Sequence, residues 1–213
     1  MPLSKKTTPG ATVIELLAAA LVLVILIALL LPITTAVTHR NNAIRCMGNL
    51  RHMHSGMIAY INDHNGSVPP YREFWPQENG APLRGDFWTA KIKPYLAQDR
   101  AQKYNQCPAE KVLPDNHYGM STSISADGVL HPEKLADTQL PGKRYLFADA
   151  SQKPRITTTA FPTEAAFRHH ERRINLVYFD GHVESHTLEE LPLPANGFKQ
   201  TDAEYKAFFK GTR

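Results

Sequence analysis

Cysteine is scarce in this chain of 213 residues: Cys46 and Cys107 are the only two. In an extracytoplasmic domain a lone pair most simply closes a disulfide, and two free buried thiols are the other state open to it. No C-x-x-C occurs, so the chain has no dithiol redox motif. There is no phosphate-binding glycine loop, and Ser121 and Ser123 lie outside any G-x-S-x-G. No catalytic residues are therefore assigned, and the expectation is a protein that is not an enzyme. Charge of one sign is also missing. The net charge is +4 with no run of Lys or Arg, which argues against a nucleic-acid partner. No internal repeat or low-complexity tract is present. The 16 prolines point to long ordered loops in the middle of the chain.

What the chain does have is one long apolar run. A basic leader (Lys5, Lys6) meets Gly10, and the segment to Leu31 then carries a single ionisable group, Glu15. As a helix, Ala11 to Leu31 would be about 31 Å long, enough to cross a bilayer core. A signal peptide has its small-residue cleavage site after the apolar run. Here Gly10 precedes it, so the expectation is a retained helix. A carboxylate in such a helix calls for a partner. Cleavage after Gly10 would free an ammonium at Ala11 about one turn away; a position at the membrane edge is the other reading. Pro32 removes a backbone hydrogen bond late in the run and predicts a kink.

The segment G10-A-T-V-I-E15-L-L resembles the prepilin cleavage and methylation signal of type IV pilins and type II secretion pseudopilins. The resemblance implies cleavage after Gly10 by a prepilin peptidase/N-methyltransferase, methylation of Ala11 and assembly with other pilin or pseudopilin subunits through Glu15. Ala11 departs from the usual Phe at that position. The implied location is the cytoplasmic membrane, single-pass, with the head outside. The domains then read as a leader over 1–10, a transmembrane part over 11–38, an amphipathic continuation over 39–66 and a globular head over 67–213.

Ile44, Met47, Leu50, Met57, Ile58 and Ile61 recur at helical spacing, with Cys46 and Met53 at the border of the stripe. They predict one helix from Thr12 to Asp63, ended by Gly66 and Pro69-Pro70. A second helix is predicted over 86–97, a strand over 146–148, and a last helix from Thr201 with T-D-A-E as a capping box. Asp180-Gly181 between strand-like runs predicts a two-residue hairpin over 170–187. In that register Ile174, Leu176, Tyr178 and Val183 face the long helix. Val177, Phe179, His182, Glu184 and His186 face away. The fold expected is α+β: a hydrophobic then amphipathic helix packed on a small antiparallel sheet.

His170 followed nine residues later by Asp180-Gly181 resembles the H-x9-DG pattern of a group of pilin-like proteins. C46-M-G-N-L50, Cys107-Pro108, Tyr118 to Met120 and the acid Asp149 after L146-F-A resemble further landmarks of that group. His170 is expected to hold the turn through hydrogen bonds to Asp180 or nearby backbone. Asp149 and Asp180 are calcium candidates, because some pseudopilins the chain resembles bind calcium in C-terminal loops; no other cofactor is expected. The function expected is a structural subunit of a type IV pilus or type II secretion-like system. The alternative is a non-polymerising membrane-anchored envelope protein. Its head would bind a polysaccharide through Tyr71, Trp75 and Trp88, or a metal through the His182, Glu184 and His186 face.

Overall fold

The computed structural model describes residues 12–70, 72–75, 83–96, 104–110, 116–123, 134–151 and 153–212, without the side chains of 29–36, 73–75 and 83–86. Gly10, Ala11, Tyr71 and the side chains of Pro32 and Trp75 therefore lie outside the described residues. The chain divides into two compact units, Met1–Arg40 and Asn41–Arg213.

Helix α1 (Val13–Asp63) runs through both units. In the first unit its large apolar side chains from Val13 to Ile27 are 49–78% exposed. The expectation of a transmembrane segment and a location at the cytoplasmic membrane is corrected here: among the described residues no helix is long and apolar enough to cross a membrane.

In the second unit α1 turns one face inward. Cys46, Leu50, Met53, Met57 and Ile61 are all buried, whereas Ile44 is 58% exposed. The residues expected at the border of the stripe are thus its centre. The helix ends as Gly66, at φ +80°, hydrogen bonds back to Ile61 O.

A two-stranded ribbon follows, β1 (Arg72–Trp75) with β2 (Leu83–Phe87). Helix α2 (Trp88–Ile92) is shorter than predicted, because Asp86 and Phe87 belong to β2 and Pro94 carries the chain into a 3-10 turn. The main sheet is built from β3 (Tyr118–Ser121), β4 (Tyr145–Asp149), β5 (Arg155–Ile156), β6 (Ile174–Tyr178) and β7 (Val183–His186) in the order β5-β3-β4-β6-β7. After β5 comes the short α3 (Phe161–Glu164), and the chain closes with α4 (Ala203–Lys210).

The fold is α+β with a five-stranded sheet, but not the arrangement expected. The sheet is mixed, since β5 runs parallel to β3, and it is covered on both faces. Every residue of β3, β4 and β6 is buried. One face meets the inward face of α1 through Met120, Leu146, Phe147, Val177 and Phe179. The other meets Phe161, Leu191, Leu193, Tyr205, Phe208 and Phe209. Helix α4 starts two residues later than predicted. Its N-cap is Asp202, whose carboxylate accepts from Lys199 N rather than forming the T-D-A-E box. Buried Arg144 fastens this layer, donating to Phe209 O, Thr138 Oγ1 and Ser123 O.

The hairpin register is also corrected. Val177 pairs with Val183 and Leu176 with Glu184, so the loop has three residues, Phe179 to Gly181, instead of two. Gly181 N donates to Tyr178 O, and Tyr178 N to His182 O. A slip of one residue exchanges the faces of a strand. Ile174, Leu176 and Tyr178 therefore lie away from α1, while Val177 and Phe179 lie against it.

Gly181 sits at φ +92°, and a Cβ there would lie 2.8 Å from His54 Cε1 of α1. Gly181→Ala is expected to lower stability by about 1–3 kcal/mol, from left-handed strain plus displacement of the imidazole. Urea denaturation measures it; an unchanged midpoint would show that the turn does not need glycine.

Candidate functional site

Four of the five landmarks singled out in the sequence converge on one buried place. Of the two states open to the cysteines, the structure has the disulfide, with Cα atoms 5.3 Å apart. It joins α1 to the loop before β3. Three residues along α1, on the same face, Asn49 donates from Nδ2 to Gln106 O (2.9 Å) and to Tyr118 Oη (3.3 Å). The C46-x-x-N49-L50 pattern thus places a covalent bond, a polar tie and a buried leucine against one loop. Burial pushes the Tyr118 hydroxyl well above the ordinary phenol range.

Asp149, the acid at the end of β4, is fully buried beside the disulfide. Its Oδ2 accepts from Asn175 N (2.9 Å) and meets His169 Nε2 (2.9 Å). The same His169 nitrogen lies 3.9 Å from Cys107 Sγ. Asp149 Oδ1 and His169 Nδ1 are buried with no hydrogen-bond partner among the described residues. Next to them Arg168 donates to Ala150 O and lies 3.9 Å from Glu110. His117 Nδ1 accepts from Cys107 N at 2.7 Å, so the ring is neutral there with its proton on Nε2. Cys46, Cys107, Asp149 and His169 bring their ligand atoms within 4.8 Å of one another.

His170, expected to hold the turn, is on the surface, its Nδ1 3.7 Å from Glu171. Glu171 and Arg172 both adopt positive φ (60° and 54°), and this tight turn sends His169 inward. Asp180 takes its hydrogen bonds from His182, at the exposed hairpin end. Asp149 and Asp180 stand at opposite ends of β4, since Asp180 lies beside Gly142 just before that strand. They do not form a shared calcium site. His182, Glu184 and His186 do share a face, but they pair with one another and with Tyr178 and Glu190. Trp88, a candidate glycan platform, is buried and donates to Pro154 O.

Glu15 has a local role. Its Oε2 accepts from Thr12 N (2.8 Å), and Thr12 Oγ1 accepts from Glu15 N (3.3 Å). This is a reciprocal capping box over T12-V-I-E15 at the start of α1. The Thr12 hydrogen bonds hold the Glu15 carboxyl below its ordinary range.

Asn175 and His117 escaped the sequence reading, and His169 entered it only as a neighbour of the His182, Glu184 and His186 face. His169 stood next to the histidine that the motif singled out, and nothing in the pattern marks which of the two is buried. Comparisons with known proteins add nothing to the assignment: no protein-family model matches the chain, nor does any curated protein or solved structure.

Two imidazoles make stability depend on pH. Burial lowers the pKa of His54, which contacts Phe179 O through Nε2, and burial with the Arg168 charge lowers that of His117. In both, the unfolded chain takes up its proton first, near pH 6.5. Stability is therefore full above 6.5 and falls as pH drops through the lower folded values. The carboxylates Glu164 and Asp180, also shifted down, act only below their ordinary values of 4.5 and 3.8. The urea midpoint should fall between pH 6.5 and 5, with a shallower slope in His54→Gln and His117→Gln. A flat wild-type profile over that window would contradict the lowered pKa values of these two imidazoles.

Proposed function

We propose that this protein is a pilin-like or pseudopilin structural subunit of a type IV pilus or type II secretion-like system, processed after Gly10 and assembled through its N-terminal helix. The observation that carries the reading is the uncovered apolar helix. Among the described residues of the first unit, Leu, Val and Ile side chains stand exposed from Val13 to Ile27. A helix apolar all round is stable only when something buries it, and a patch of this extent is an interaction surface. The occupants that fit are the equivalent helices of other copies, each supplying the same leucine- and valine-rich surface. Glu15 is the only charged side chain from Thr12 to Val37. In a bundle of such helices it meets the amine at the mature terminus, Ala11, of a neighbour. A prepilin peptidase/N-methyltransferase is the processing partner.

The capping box gives Glu15 a second role, and two variants separate them. Gln at this position still accepts the Thr12 N–H but carries no charge. Glu15→Gln is expected to be processed yet absent from filaments, and Glu15→Val likewise. Immunoblotting of sheared filaments against cell-bound protein measures this. Normal incorporation of Glu15→Gln would reduce Glu15 to a helix cap and remove charge pairing from the proposal.

A further inference from the structure

The disulfide neighbourhood holds more chemistry than a crosslink uses. Two sulfurs, one imidazole nitrogen and one carboxylate oxygen lie within 4.8 Å of one another, all four residues buried. The orientation of His169 discriminates between possible roles. In a nucleophile–base–acid relay the two ring nitrogens face different partners. Here one nitrogen, Nε2, faces both Asp149 Oδ2 (2.9 Å) and Cys107 Sγ (3.9 Å). This nitrogen donates its N–H to Asp149 while the disulfide is closed; with the proton on Nδ1 instead, its lone pair would face the carboxylate and the sulfur together, as a metal ligand's does. Around zinc, ligand distances of about 2.0–2.3 Å put neighbouring donor atoms roughly 3.3–3.8 Å apart. With the sulfur–sulfur bond open, rotation of the two cysteine side chains is the movement needed to reach those separations.

We infer that Cys46, Cys107, His169 and Asp149 form a tetrahedral site for a divalent borderline metal of the zinc type, and that metal and disulfide are alternative occupants of one place. The exchange balances. A dithiol reductant gives two electrons to the disulfide and becomes a disulfide itself, and Cys46 and Cys107 become thiols. The metal ion then displaces one proton from each thiol, the imidazole proton passes from Nε2 to Nδ1 through solvent, and the ion binds the two thiolates, the neutral imidazole through Nε2 and the carboxylate. The newly made chain, whose cysteines are thiols, needs no reductant. The set carries one net negative charge with a divalent ion, and half-buried Arg168, bonded to the carbonyl of Ala150 next to Asp149, lies beside it to offset that charge. Thiolate, imidazole and carboxylate together suit zinc or cobalt and not calcium, which takes oxygen. The inference is independent of the assembly proposal, since it needs only the second unit.

The test uses the full chain, oxidised and reduced, titrated with Co²⁺ and then Zn²⁺. The reduced protein is expected to bind one Co²⁺ with thiolate-to-cobalt charge-transfer absorption and tetrahedral ligand-field bands, both bleached by Zn²⁺; the oxidised protein is expected to show neither. His169→Gln and Asp149→Asn should each weaken binding by at least about tenfold. Where the reduced chain loses its fold, Zn²⁺ should restore the far-ultraviolet dichroism of the wild type but not of His169→Gln. Cobalt bound without charge transfer overturns the site. So does equal binding by the oxidised protein, undiminished affinity in His169→Gln, or a reduced chain that neither binds nor refolds with Zn²⁺.

Discussion

A buried carboxylate sets the terms for the rest of the second unit. Asp149 is shielded from water at the end of β4, where an ionised oxygen without partners would cost several kcal/mol. Its Oδ2 is satisfied by a backbone N–H of β6 and by the His169 ring. Both contacts depend on the chain between β5 and β6 arriving in one place. His169 reaches inward only because Glu171 and Arg172 take left-handed backbone, a conformation that costs each about 1–3 kcal/mol. The carboxylate thus offsets strain in the turn, and the turn in turn fixes where β6 begins. The disulfide lies against the same imidazole, so α1 is tied to the sheet at the point where the sheet is itself tied together.

Much of this was legible in the sequence, and the failures have physical causes. The helix stop at Gly66, the strand at Leu146 to Ala148 and the hairpin at Asp180-Gly181 were all announced by local chemistry. The faces of β6 were not. A strand whose every residue is buried has no polar side, so I174-N-L-V-Y178 gives periodicity nothing to read. Orientation then rested on the loop length assigned to Asp-Gly, and one extra residue reversed it. The hidden second layer had the same effect. Phe208 and Phe209 at the end of the chain cover the face of the sheet that was expected to be the polar one. The parallel pairing of β5 was equally silent, because a two-residue strand has no pattern of its own.

The candidate site was legible in its parts and not in its assembly. Cys46, Asn49, Cys107, Tyr118 and Asp149 were each singled out as landmarks, yet no spacing argument places a helix residue beside a strand-ending acid more than a hundred positions later. The histidine was misassigned by one position. His169 and His170 are chemically identical, and only the turn at Glu171 and Arg172 separates the buried ring from the exposed one. The Asp180-Gly181 end is a different device. There the glycine makes room for His54 of α1, and the aspartate closes its own turn through His182. One motif therefore divides between two ends of the sheet, and each end is held against the same helix.

Glu15 has a local role that stands beside the assembly role proposed for it. In the isolated chain its carboxylate caps the helix, where the partial positive charge of the N-terminus favours an anion. A cap of this kind could be supplied by many side chains. The apolar residues beyond it have no such local account. Exposed as they are, each raises the free energy of the lone subunit. The first turn of α1 is therefore stable in itself while the rest of that stretch depends on what covers it. Under the proposed assembly, association of copies would remove that cost helix by helix, and the charge at the start of each helix would fix the axial offset between neighbours.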